Sequence, residues 1–267
     1  MKRILSAVIF IPIFLLIIFR GNSLYFFLFL ELFLLGGLHE IFILLEKLNM
    51  DCFKFAGYLL GIFLSLSFLI TKGSFLPFGI SLSIILLFII GLFKNASLLR
   101  TIYSIFGTLF GIFYVSFLLG FLILIRDINI YGQKLLFFFF IFIWAGDTFA
   151  FYFGINLGKH KLWPGISPKK SVEGAIAGLT GNFIASIIIK FTMLPLLTYF
   201  DCLLLTLLVG IIGQIGDFFE SMLKRAAQVK DSGSTIPGHG GVLDRLDSIL
   251  FAAPVFYWYI TLAIGLK

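Results

Sequence analysis

Charge is scarce in this sequence: Asp, Glu, Lys and Arg make up 12% of its 267 residues, against 60% hydrophobic residues. A water-soluble domain of that length needs far more polar surface, so a soluble globular fold is excluded. Cysteine is nearly absent. Cys52 and Cys202 lack the paired spacing of a zinc site or a redox dithiol. A Gly-x-x-x-x-Gly-Lys-Ser/Thr string is missing too, which removes the P-loop as a means of holding nucleotide. No polar stretch is long enough for a second, soluble domain, and no convincing internal repeat stands out.

What the sequence has in place of charge is apolar length, with a mean hydropathy of +1.12. Its 36 Phe residues need no ligand to explain them, because aromatic rings fill bundle cores, face lipid and anchor at the interface. Apolar runs cover Ile4–Phe19, Leu24–Leu45, Phe55–Ile70, Phe78–Phe93, Tyr103–Ile125, Leu135–Phe153, Val172–Ile189, Thr198–Ile215 and Ile249–Leu266. They predict an all-α fold, a polytopic transmembrane helical bundle of about nine membrane-spanning helices, in a single integral-membrane domain. Met-Lys-Arg before Ile4 resembles a signal sequence, but no small-x-small cleavage site follows, so the first run is read as a retained span.

The net charge of +7 would suggest nucleic acid in a soluble chain. Here the basic residues cluster at the ends of apolar runs, which points to membrane orientation and anionic headgroups and away from nucleic acid. With a cytoplasmic N-terminus and nine crossings, Arg20, Lys72, Arg126, Lys134, Lys190 and Lys267 lie outside. The other fourteen of the 20 Lys and Arg lie inside, which the positive-inside rule favours. Cys52 and Cys202 then fall on opposite sides, which argues against a disulfide.

Two polar stretches break the thin loops, Gly158–Ser171 and Asp217–Asp247, and this topology puts both on the cytoplasmic side. The second contains Asp217, Glu220, Asp231, Asp244 and Asp247, five of the 13 acidic residues, interleaved with Lys224, Arg225, Lys230 and Arg245. Charge alone would fit an ordinary solvated loop. Spacing adds that Asp217, Glu220 or Ser221, and Lys224 share one face of a helix over Phe218–Val229, and that Asp244 and Asp247 stand one turn apart. Carboxylates and ammonium groups beside a membrane are what holding magnesium together with polyphosphate requires. Gly233, Pro237, Gly238, Gly240 and Gly241 make tight turns that let backbone amides approach phosphate, or simply a flexible link. Asp147 lies inside an apolar run, where a carboxylate must face a metal, a polar partner or the bundle interior. Ser167, Lys169, Lys170 and Ser171 offer donors and positive charge for phosphate, although inner-face topology would explain lysines there as well.

The string Ser221-Met-Leu-Lys-Arg-Ala-Ala-Gln-Val-Lys-Asp-Ser-Gly-Ser-Thr-Ile-Pro-Gly-His-Gly-Gly-Val-Leu-Asp-Arg-Leu-Asp247 closely resembles the signature of bacterial phosphatidate cytidylyltransferases. Gln214-x-Gly216-Asp217-x-x-Glu220, Gly158-Lys159-His160-Lys161 and Ile166-Ser167-Pro168-Lys169-Lys170-Ser171-x-Glu173-Gly174 match that family as well. The family's Asp-Thr-x-Ala-Tyr motif corresponds to Asp147-Thr148-Phe149-Ala150, with Phe151 at the Tyr position and Tyr152 next to it.

The resemblance implies an enzyme of the cell's inner (cytoplasmic) membrane that faces the cytoplasm. It would convert CTP and phosphatidic acid to CDP-diacylglycerol and pyrophosphate in phospholipid biosynthesis, with Mg2+ as cofactor and CTP as substrate. Residues 134–267 become its catalytic helical region, after the N-terminal spans of 1–133. Asp217 and Asp244 become metal ligands, with Asp147, Glu220, Asp231 and Asp247 as further ligands or groups beside them; the carboxylate supply allows two ions. The reaction falls to Asp217, Lys224, Asp244, Arg245 and Asp247. Substrate binding falls to Ser167, Lys169, Lys170, Ser171, Ser221, Arg225, Lys230 and His239, the last shaping the turn rather than moving a proton. Membrane phospholipids surround the chain, and a homodimer is compatible with the family. The rival functions are a CTP-dependent lipid-alcohol kinase and a transporter lined by the buried charges.

Overall fold

A computed structural model of the chain describes residues 12–94, 96–233, 235 and 240–266. Residues 12–20 are helical (α1), followed by α2 (Ser23–Lys47), α3 (Lys54–Thr71), α4 (Leu76–Leu92), α5 (Leu98–Arg126) and α6 (Gly132–Leu157). A hairpin of β1 (Lys161–Trp163) and β2 (Ser167–Ser171) comes next, then α7 (Val172–Thr192), α8 (Tyr199–Ala226) and α9 (Leu243–Ala263). Seven helices among the described residues are long and apolar enough to cross a membrane, and α4, with 17 residues, is a shorter apolar helix. Every predicted apolar run thus contains a helix. The chain is an all-α, multi-pass membrane protein.

Helices are what a bilayer demands, because each satisfies its backbone polar groups within itself. Where helices begin in polar loops, side chains satisfy the leftover amides: Asn22 accepts from the Tyr25 amide at 2.9 Å, and Ser171 from the Gly174 amide at 3.1 Å. Short π-helical turns sit inside α5 (Ile112–Phe117) and α8 (Thr206–Gly210) and at the end of α9 (Tyr259–Ala263), the last following Pro254 by about one turn. Large apolar side chains such as Phe55, Leu92 and Phe93 are exposed on the outside of the helices, as lipid contact permits.

Two boundaries differ from the sequence reading. The span predicted to stop at Ile215 runs without a break to Ala226, and the last helix starts at Leu243 rather than Ile249. Asp217, Glu220 and Lys224 share a helix, as their spacing predicts, and Asp244 and Asp247 lie in the first turns of the last one. Gly216 is a packing position: a Cβ there would lie 2.5 Å from the Asp247 carbonyl oxygen.

The helices group into two compact units. One holds the described residues up to Asp127 with Leu223–Leu246; the other holds Ile128–Met222 with the described residues from Asp247 onward. In the first, α2 is central and carries two buried acids, Glu31 and Glu40. Glu31 accepts from the Ser65 hydroxyl of α3 at 2.5 Å. Burial pushes the Cys52 thiol up to about 12, so it holds little thiolate at neutral pH, and Cys52 and Cys202 are both free of disulfides.

In the second unit, α6 and α7 pack along most of their length through small residues. Gly146, Ala150 and Gly154 on α6 face Gly174, Gly178 and Asn182 on α7. A Cβ at Gly174 would lie 2.9 Å from the Ala150 carbonyl oxygen, and one at Gly146 would overlap the Asn182 side chain. In lipid, where burial supplies little attraction between helices, such close backbone contact is what holds a pair together. Gly146→Val is expected to destabilise the folded chain by roughly 2–3 kcal/mol in a denaturation titration in detergent. Gly165→Ala, with nothing within 4 Å of the added carbon, is expected to leave the midpoint where it was.

Candidate active site

Within the second unit, the α6–α7 contact places Asp147 one residue beyond the tight Gly146 crossing. Gln214 of α8 donates to the Ala175 carbonyl of α7 at 3.0 Å, which sets α8 against the same pair. Three residues further on, Asp217 forms an ion pair with Lys170 of β2, whose ammonium also lies 4.2 Å from the centre of the Phe218 ring. Gly216 brings α8 against the backbone at Asp247, whose carboxylate accepts from the Ser248 amide at 2.7 Å. Asp147, Asp217, Glu220 and Asp247 fall within electrostatic range of Asp247 or of one another, with Lys170 acting on Asp147 as well. Asp147 is exposed, Asp217 and Asp247 are partly exposed, and Glu220 is fully buried.

The hairpin that presents Lys170 is fixed at its base. Glu173, in the first turn of α7, accepts from the Lys159 and His160 amides at 3.1 and 3.2 Å, and its carboxylate meets His160 Nδ1 at 2.6 Å. The Val172 amide donates to the His160 carbonyl. Ser171 is buried and caps α7, Ser167 is partly exposed, and Lys169 is exposed.

The first unit carries a second cluster. Lys224 Nζ donates to Asp244 Oδ1 at 2.6 Å, and both side chains are largely buried, at 11% and 14% exposure. Asp244 Oδ2 accepts from the Gly241 amide at 2.8 Å and the Ser232 amide at 3.1 Å. Gly240 has φ +83°, a left-handed conformation that a side chain would strain, and its site for a Cβ is 3.0 Å from Asp244 Oδ2. Arg225 donates to the Val229 carbonyl at 3.1 Å; Arg225, Lys230, Asp231 and Arg245 are exposed, and Ser221 is partly exposed. Pro237, Gly238 and His239 lie outside the described residues.

Sequence reading missed Glu40. It is 1% exposed, and its carboxylate accepts from four donors of the 232–243 segment. The available signal was an acid inside the Leu24–Leu45 apolar run, the same reason that singled out Asp147.

Lysines facing carboxylates at the ends of apolar helices suit binding of polyphosphate with a cation. Residues 1–263 match the model of the "Cytidylyltransferase family". The chain is 36% identical over 264 residues to the phosphatidate cytidylyltransferase of Staphylococcus haemolyticus, covering 95% of this chain and 96% of that one. Against the phosphatidate cytidylyltransferase of Staphylococcus saprophyticus it is 35% identical, with the same coverage. The match to the Bacillus subtilis protein of that name is 42% identical over 149 residues and spans about half of each chain, 56% and 55%. A family match over nearly its whole length, with relatives aligned end to end, places this chain in the bacterial phosphatidate cytidylyltransferase family.

Proposed function

We propose that this membrane protein transfers the cytidylyl group of CTP to phosphatidic acid at the cytoplasmic face, using magnesium held by Asp147, Asp217 and Asp247. As a member of its family it is a CTP-dependent nucleotidyltransferase that forms CDP-diacylglycerol. The observation that carries the finer reading is the ion pair of Lys170 with Asp217, beside the carboxylates of Asp147 and Asp247.

The donor set fits magnesium, a hard cation that takes carboxylate oxygens. Among the described residues no three such side chains stand in a ligating arrangement. The Lys170 ammonium neutralises the Asp217 carboxylate. Asp217 would help hold the cation and Lys170 beside it would meet phosphate oxygens, so the pair would supply both halves of the binding charge. When bound, magnesium neutralises charge on the triphosphate and eases departure of pyrophosphate. The chain's task is alignment: a phosphatidic-acid phosphate oxygen attacks the α-phosphorus of CTP, and the bond to the β-phosphate oxygen breaks. That oxygen is already an anion, so no Ser, Cys or His nucleophile is required.

Asp244 takes a different part from the one its sequence position suggested. Both of its oxygens already accept from protein donors, so we assign it to fixing Lys224 and the glycine turn. Glu220 lies buried beside Asp247, and Arg225, Lys230 and Arg245 of the first unit are exposed.

Sealed vesicles of known orientation test the assignment, because CTP does not cross a bilayer. Inverted vesicles containing the chain and phosphatidic acid are expected to form CDP-diacylglycerol from added CTP and magnesium without permeabilisation. Product from right-side-out vesicles alone would overturn the cytoplasmic placement, and none from either, even with detergent, would overturn the reaction.

A further inference from the structure

The buried carboxylate of Glu40 is unexplained by membrane insertion, which it opposes, or by substrate contact, since protein donors surround it. Oε1 accepts from the Thr235 hydroxyl at 2.7 Å and the Val242 amide at 2.9 Å. Oε2 accepts from the Ser232 hydroxyl at 2.8 Å and the Leu243 amide at 2.9 Å. All four partners donate, and they come from a segment about 190–200 residues away in sequence. Val242 and Leu243 open α9, so a side chain of α2 performs from outside the capping that a local Ser or Asp usually performs. The glycines follow from the same geometry. A Cβ at Gly233 would lie 2.5 Å from Oε1, and one at Gly241 would overlap Oε2.

We propose that Glu40 is a positioning residue for cytidylyl transfer: its carboxylate gathers Ser232, Thr235, Val242 and Leu243, and so holds the Lys224–Asp244 pair in place. Two hydrogen bonds connect the cage to that pair, the Gly241 and Ser232 amides to Asp244 Oδ2. Only a carboxylate serves. A glutamine of the same size presents an NH2 to one hydroxyl, which can turn to accept, and to one backbone amide, which cannot, so that bond is lost and two donors are set face to face.

The inference rests on the cytidylyl-transfer reading, and the test separates the two. Wild type, Glu40→Gln and Glu40→Asp are purified in detergent; kcat and KM for phosphatidic acid are measured, with amide exchange over 240–244 and over α6. Glu40→Gln is expected to lower kcat by about 100-fold, as a displacement of about 1 Å does, with KM for phosphatidic acid within about threefold. Exchange over 240–244 is expected to rise by about tenfold or more while α6 keeps its protection. Glu40→Asp, which keeps the charge, is expected to recover at least about tenfold of the lost kcat. A Glu40→Gln enzyme within about twofold of wild type in kcat, or no better activity from Asp than from Gln, overturns the proposal. If Glu40→Gln does not fold, Ser232→Ala with Thr235→Val removes two donors and leaves the charge; unchanged turnover in that variant overturns it equally. If the wild type itself forms no CDP-diacylglycerol, the activity reading fails, and exchange over 240–244 still decides whether Glu40 holds the segment.

Discussion

Asp217→Asn is expected to reduce magnesium-dependent formation of CDP-diacylglycerol by about three orders of magnitude, while the chain still inserts and folds. The substitution preserves shape and removes the charge that draws a divalent cation to α8. It also leaves Lys170 without its partner. Because the two side chains keep 31% and 27% of their exposure, solvent takes over that lysine at little cost to folding. Turnover and the magnesium concentration for half-maximal rate are the readouts, the latter rising in Asp217→Asn. Near-normal turnover in the purified, folded variant would remove Asp217 from the metal site.

Asp244→Asn is expected to be costly in a different way. Lys224 is largely buried, and removing its counter-charge leaves an uncompensated ammonium, a loss of about 3–5 kcal/mol. The variant should unfold earlier in detergent and lose turnover together with stability. Lys224→Met combined with Asp244→Leu removes both charges and is expected to recover much of the stability, because buried ion pairs are often replaceable by apolar packing. Activity is expected to stay lost in the double variant. Recovery of turnover along with stability would reduce the pair to a structural role.

The difference between these variants follows from surroundings that sequence does not display. Asp217 and Asp244 look alike in sequence, each about one turn from a second acid, Glu220 and Asp247. Folding leaves Asp217 partly exposed beside Asp147 and Asp247, yet engages Asp244 Oδ1 with the Lys224 ammonium and Oδ2 with the Ser232 and Gly241 amides.

The membrane helices were legible because hydropathy acts locally: each span carries its own apolar length. Helix ends were less so. The run from Tyr199 to Ala226 changes from apolar to amphipathic near Gly216 without changing conformation, so a hydropathy boundary was read as a structural one. The Lys161–Ser171 hairpin escaped because its strands are short and lack alternation; Glu173 and the cap at Ser171 secure its base. Glu40 escaped for the opposite reason. Its meaning comes from partners far along the chain, and one acid in an apolar run does not say which loop it holds.

The fate of the two ends of the CTP triphosphate is the most direct measurement of what the chain does. Purified protein in detergent is given phosphatidic acid, magnesium and CTP labelled at either the α or the γ phosphorus. The α label is expected in the lipid phase as CDP-diacylglycerol and the γ label in pyrophosphate. A γ label in the lipid with release of CDP would make the chain a kinase, and unchanged CTP under all conditions would contradict cytidylyl transfer outright.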